Sequence, residues 1–134
     1  MNVVYSDEKL KVKKHSIFLA GPTPRSTDVM SWRPEALQIL ESLDFKGQVL
    51  VPERRDWSVE FDLIGQKEWE REGLTKATVL VFWVPRVMKT LPGLTTNVEF
   101  GYYVTSWRML YGRPDGADNI SYLDWLYTKE TDNK

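Results

Sequence analysis

The residues of this chain best suited to chemistry are acids. Glu99 stands in Thr95-Thr96-Asn97-Val98-Glu99-Phe100-Gly101, which reads as the start of a helix following an apolar run and a loop. A helix N-terminus carries free N–H groups and partial positive charge, so it favours an ionised carboxylate placed there. Beside a cleft, such a carboxylate can attack an electrophilic carbon such as the anomeric carbon of a sugar. The spacing also supports a structural reading. Thr96-Asn97-Val98-Glu99 matches a capping box, in which the glutamate reaches back to the backbone N–H of the residue at the helix start. A second group of acids is Glu68-Trp69-Glu70-Arg71-Glu72. On a helix Glu68 and Glu72 share a face and Glu70 lies on the other side. The run is either a solvated surface or one that sends Glu70 inward as a general acid or substrate-binding acid.

Composition removes several other chemistries. The chain of 134 residues has no cysteine, and His15 is its only histidine. Thiol nucleophiles, thiolate metal sites and disulfides are excluded, and a Ser-His-Asp triad or a multi-histidine metal site is disfavoured. With a net charge of −1, nothing in the charge balance points to a nucleic acid polymer. The longest apolar run, Val79 to Pro85, is far short of the ~20 residues a membrane helix needs. The N-terminus has no basic segment followed by an apolar run, so it does not read as a secretory signal. The expectation is a soluble cytoplasmic protein. Aromatic residues make up 13% of the chain; they read as core filling or, for some, as the walls of a pocket for a flat ring such as a nucleobase.

The elements that must position these acids follow from periodicity. Ile17-Phe18-Leu19-Ala20 reads as a buried strand running into Gly21-Pro22. Ser31 is placed to cap the next helix, Pro34 sits in its first turn, and Ala36, Leu37, Leu40 and Leu43 recur at helical spacing up to Lys46-Gly47. Val49-Leu50-Val51 is a second strand, ended by Pro52. Glu53 to Asp62 is a loop, Ile64 to Lys76 a helix, and Thr78 to Val84 a third strand ended by Pro85. A loop from Arg86 to Thr95 leads to a helix over Asn97 to Thr105. Arg108 to Tyr111 is a fourth strand and Asp118 to Tyr127 a terminal helix. Alternating elements, with strands apolar on both faces, predict an α/β fold: a doubly wound, mainly parallel sheet of four to five strands with helices on both faces, flavodoxin-like or Rossmann-like. Residues 1–134 read as one domain, with 1–15 an N-terminal arm or extra strand and 128–134 a frayed tail.

Ligands in such folds lie beyond the carboxyl ends of the strands. That makes candidates of the loops Gly21 to Ser31, Pro52 to Asp62 and Pro85 to Thr96. The first, Gly21-Pro22-Thr23-Pro24-Arg25-Ser26, is neither a dinucleotide fingerprint nor a Walker loop, and its two prolines remove N–H groups that a phosphate cradle would use. It is a stiff turn, and Arg25 or Ser26 can also reach a substrate hydroxyl or phosphate. No cofactor fingerprint is present. Gly101 within a helix costs ~1 kcal/mol relative to alanine, which suggests close approach of another group there.

Together, Phe18-Leu19-Ala20-Gly21-Pro22, an acid on the second helix and Thr96-Asn97-Val98-Glu99-Phe100-Gly101 resemble the nucleoside 2-deoxyribosyltransferase superfamily, over about Ser16 to Leu126. The nearest branch is the compact group with Gly-Pro-Thr-Pro-Arg, Trp-Arg-Pro-Glu-Ala and Thr-Thr-Asn-Val-Glu-Phe-Gly motifs. The resemblance implies cleavage of the N-glycosidic bond of a nucleoside or nucleotide by a dimer or larger homo-oligomer, with no cofactor and no metal. Glu99 falls on the family's nucleophilic glutamate, which forms a covalent glycosyl-enzyme intermediate. Glu70 falls near an acid linked to base binding and protonation. A second base (transferase) or water (hydrolase, an N-glycosidase) resolves the intermediate. By position, Gly21, Pro22, Thr23, Arg25, Thr96, Asn97 and Trp69 are the expected substrate contacts. Two family groups are missing: Phe18 stands where classical transferases carry a tyrosine, and Leu91-Pro92-Gly93-Leu94 carries no aspartate. Arg25, Arg54, Arg55 and Arg86 lie in the ligand-edge loops. They suit a 5′-monophosphate substrate or serve solubility. The missing groups also admit a catalytically silent nucleotide-binding module.

Overall fold

The computed structural model describes residues 1–132. Its elements run β1 (Asn2–Tyr5), β2 (Ser16–Ala20), α1 (Arg33–Ser42), β3 (Gln48–Val51), α2 (Leu63–Lys76), β4 (Val79–Trp83), α3 (Leu94–Tyr103), β5 (Met109–Gly112) and α4 (Ser121–Thr131). The strands form one five-stranded, all-parallel sheet in the order β1-β3-β2-β4-β5, and the four helices complete the doubly wound α/β fold that the alternation predicts. By compactness the chain divides into two units, Met1–Leu19 with Trp32–Leu80, and Ala20–Ser31 with Val81–Lys134.

In the first unit β3 is the inner strand. It pairs in parallel with β1 (Val3 with Val49, Val4 with Leu50) and with β2 (Ile17 with Val49, Phe18 with Leu50). Flanked on both edges, it is buried at every residue, which is why Val49-Leu50-Val51 is an unbroken apolar run. The side chain of Asp62 caps α2 by accepting from the Gly65 N–H at 3.0 Å. The α2 backbone lies so close to β2 that a Cβ on Gly73 would stand 2.7 Å from the Phe18 ring. Only glycine fits at that contact. The N-terminal segment is both strand and arm: β1 ends at Tyr5, and Asp7 then accepts the backbone N–H groups of Arg55 and Asp56 while Glu8 pairs with the Arg55 guanidinium.

In the second unit the core gathers around Phe100, which meets Phe82 at 5.5 Å and Tyr111 at 5.1 Å, both edge-on. Tyr111 donates to Asp124 at 2.6 Å and Arg113 donates to the same carboxylate, so β5 and α4 are tied through one acid.

Several boundaries differ from the sequence reading. Ser31 does not cap α1; Trp32 holds that position, and its side chain makes no capping hydrogen bond. α3 begins at Leu94, three residues before the predicted start, because Gly93 at φ +58° turns the chain into it. α4 begins at Ser121, not Asp118, since Asn119 takes φ +50°, which a right-handed helix cannot contain. The helix then continues to Thr131, so residues 128–131 are not a frayed tail. Residues 133 and 134 of that predicted tail lie outside the described residues.

Candidate functional site

The strand order reverses between β2 and β4, the switch point at which doubly wound folds bind ligands beyond the carboxyl ends. The carboxyl ends of both strands, with the loops that follow, belong to the second unit. After β2 the chain turns through Gly21, at φ +142°, and buries Pro22 and Pro24. Thr23 is half-buried, and Arg25 and Ser26 are exposed. This loop abuts the start of α3: a Cβ on Gly93 would lie 2.7 Å from the Pro22 ring. Gly93 is therefore required twice over, by its left-handed backbone and by the proline against it.

Arg86 organises the other side. It opens the loop after β4 and is 1% exposed. Its guanidinium donates to the Asn119 carbonyl at 2.8 Å, to the Gly93 carbonyl at 3.3 Å and to the Asn97 Oδ1. Its own backbone carbonyl accepts from Asp118, and the Asp118 carboxylate accepts the Met88 N–H. One cation thus joins the start of α3 to the segment entering α4. Burial pulls the Arg86 pKa below its ordinary value, but a guanidinium starts so high that it stays charged.

On α3 the predicted substrate contacts divide. Thr96 is buried at 3% exposure, and the Asn97 amide oxygen is turned to Arg86. Glu99 lies half-buried in the second turn, not the first, because the helix starts at Leu94. The capping-box reading fails for the same reason: Thr96 is already helical, and the cap position is held by Gly93. The helix-terminus support expected for an ionised Glu99 weakens as well, since that effect fades within the first turn. Gly101 is exposed, with no atom within 4 Å of where its Cβ would be, so no close approach among the described residues explains it. A groove between α3 and α4 is lined by Asn97, Gly101, Asn119 and Tyr122 among others, and Glu99 is not part of its wall.

The first unit holds the other acid. Glu70 projects from α2 and is half-buried, with its carboxyl group pushed up to about 7 by desolvation, which outweighs the opposing pull of Arg33 and a hydrogen bond with Gln66. Glu70 is therefore partly withdrawn from solvent, while Glu68 is exposed. Trp69, the neighbouring candidate, is packed on Phe18 at 6.0 Å between ring centres, and its indole N–H donates to the Glu8 carbonyl. At 8% exposure it offers little ring for a ligand to stack on. Phe18, standing in the place of the classical tyrosine, is itself a core residue at 1%.

The arginines are also sorted. The two terminal nitrogens of Arg86 are engaged by backbone and amide oxygens while its buried Nε has no hydrogen-bond partner among the described residues, and Arg55 pairs with Glu8. Arg54 rests on the rings of Trp57 and Phe61 at 4.5 and 5.0 Å and donates to the Val59 carbonyl. Arg25 is exposed. The pair that sequence reasoning missed is Arg33–Glu53, a 2.7 Å ion pair with side chains 1% and 9% exposed. Arg33 stands in Trp32-Arg33-Pro34, where an arginine at a helix start opposes the macrodipole and so signals another task. Among the described residues no group of three or more His, Asp or Glu is placed to hold a metal ion, and no helix is long and apolar enough to cross a membrane.

A comparison with curated proteins finds no match. The nucleoside 2-deoxyribosyltransferase-like family matches residues 14–117, most of the 134-residue chain. From two residues before β2 to five residues beyond β5, this chain belongs to the nucleoside 2-deoxyribosyltransferase-like family, whose general work is nucleoside-related glycosyl transfer.

Proposed function

We propose that the protein cleaves the N-glycosidic bond of a nucleoside or nucleotide, with Glu99 as nucleophile and Glu70 as the proton donor to the departing base. The observation that carries this is the placement of Glu99. It stands in the second turn of a helix inside the family-matched segment, six residues past the Gly93–Pro22 contact, and Arg86 anchors the start of that helix. Nothing about the helix start requires an acid there, because the cap is a glycine.

In this reading a Glu99 carboxylate oxygen attacks C1′ and forms an ester. The C1′–N bond breaks, and its electron pair leaves with the base, which takes the proton from Glu70. A second base or water then attacks C1′ and gives its proton to the Glu70 carboxylate, while the C1′–O bond of the ester breaks and returns Glu99 as carboxylate. Glu70 suits the acid role because its environment raises its carboxyl group to about 7, so it carries a proton near neutral pH.

The variant Glu99→Gln tests the assignment. Assayed with nucleosides and their 5′-monophosphates, ribose and 2-deoxyribose, with and without a second free base, it should lose base release by roughly three orders of magnitude or more while staying folded. Release at the parental rate removes Glu99 from the mechanism. Release that demands the second base identifies a transferase; release without it identifies a hydrolase. Saturable binding with no release from any substrate replaces the proposal with a nucleotide-binding module. A 5′-monophosphate substrate now rests on Arg25 and Arg54, since Arg55 is paired with Glu8 and Arg86 is enclosed. Loss of any preference for monophosphate over nucleoside in Arg54→Gln would support it. The working form, in a soluble cytoplasmic setting, is read as a homo-oligomer.

A further inference from the structure

Arg33 faces two acids. It lies at the first position of α1, buried, with its Nε donating to the Leu19 carbonyl at 2.9 Å and one terminal nitrogen 2.7 Å from a Glu53 oxygen. Glu70 on α2 feels the same guanidinium, which favours its ionised form. Gln66, one turn earlier on α2, hydrogen-bonds with Glu70 and donates its amide to the Pro52 carbonyl, beside Glu53. The carboxyl ends of β2 and β3 and the inner face of α2 therefore share one cation and two carboxyl groups.

One buried positive charge satisfies one carboxylate. The 2.7 Å contact gives that charge to Glu53. A second carboxylate beside an already neutralised pair gains little attraction and keeps its full desolvation cost, so its neutral form prevails. We propose that Glu53 is a positioning residue for the acid: it engages the Arg33 guanidinium, withholds that cation from Glu70, and so leaves Glu70 holding the proton that a departing base requires. The proposal rests on the role given to Glu70 above, and it gives a task to the buried Arg33–Glu53 ion pair.

The groups that face Glu70 are Arg33 from α1, Gln66 from its own helix and, through Arg33, Glu53 from the loop after β3. Glu53→Gln removes one negative charge and frees the guanidinium to turn to Glu70. Both effects stabilise the Glu70 carboxylate, so its titration moves to lower pH.

The test is a pH titration of the full chain carrying glutamate labelled with carbon-13 at the carboxyl carbon. The Glu70 signal is assigned by its loss in Glu70→Gln. The wild-type signal should titrate near neutrality, and in Glu53→Gln it should fall by about one pH unit or more. Glu53→Asp keeps the charge but shortens its reach and should give a smaller fall; it serves if the glutamine variant does not fold. A wild-type Glu70 that titrates in the ordinary carboxylate range, or a signal that stays in place in a folded Glu53 variant, overturns the proposal. The titration needs no turnover, so its failure is separate from a failure of Glu99→Gln to abolish base release. Where turnover is found, the alkaline limb of the kcat/KM profile should move down in parallel, an effect that merely weaker packing would not produce.

Discussion

A desolvated acid leaves a mark on stability as well as on catalysis. Glu70 is raised from 4.5 to about 7 by burial, so the folded protein holds the proton more tightly than the unfolded chain does. The sign follows from linkage: a raised folded pKa contributes stability that is fully present below the unfolded value and is lost as pH rises through the folded one. The window for Glu70 is thus about pH 4.5 to 7. Across it the wild type should lose up to about 3 kcal/mol from this group, at roughly 1.4 kcal/mol per pKa unit. Glu70→Gln, which cannot ionise, should lack that share of the decline. Urea unfolding of both proteins at pH 5 and pH 8 isolates the difference; parallel pH dependences would mean Glu70 ionises freely in the fold.

Among the elements, α3 carries the most information. Its inward residues Thr96, Phe100 and Tyr103 are spaced to bury one face, while its start is set by Gly93 and Arg86 and not by a hydroxyl or acidic cap. Two of its glycines should answer oppositely to alanine. Gly93→Ala meets both a left-handed backbone and the Pro22 ring, and should destabilise the protein by about 1–2 kcal/mol from the backbone alone. Gly101→Ala sits at an exposed helical position with open space around it, and should stabilise by roughly 0.5–1 kcal/mol. Thermal unfolding of the pair checks both signs. A destabilised Gly101→Ala would show that something outside the described chain packs there.

For the whole molecule, the open question is how many copies work together. Leu94, Val98 and Tyr102 are 59%, 71% and 61% exposed, and their four-residue spacing puts them on one uncharged stripe of α3. Large apolar side chains in contiguous exposed array mark association surfaces. Light scattering at micromolar concentration should return more than one chain, and Val98→Glu should shift the protein toward the single chain. A wild type that stays a single chain removes the homo-oligomer reading. Residues outside the family match also belong to the fold: β1 pairs along β3, and Asp7 and Glu8 hold the loop after it.

Local chemistry made the sheet, the element order and the two acids readable from the residues alone. Apolar strands of four or five residues ended by Pro52 and Pro85 have few other solutions, and an acid at Glu99 or Glu70 is visible wherever its helix begins. What remained hidden depends on partners distant in the chain. Whether Arg86 faces a ligand or three backbone and amide oxygens, whether Trp69 is a wall or a core ring, and whether Glu53 meets Arg33 are set by which side chains the fold brings together. The start of α3 was hidden too, because a glycine at positive φ supplies the turn that a capping side chain was expected to supply. Spacing reports what a residue is able to do; burial and the neighbours it acquires decide which of those things remains open to it, because desolvation and pairing are properties of the folded surroundings and not of the local segment.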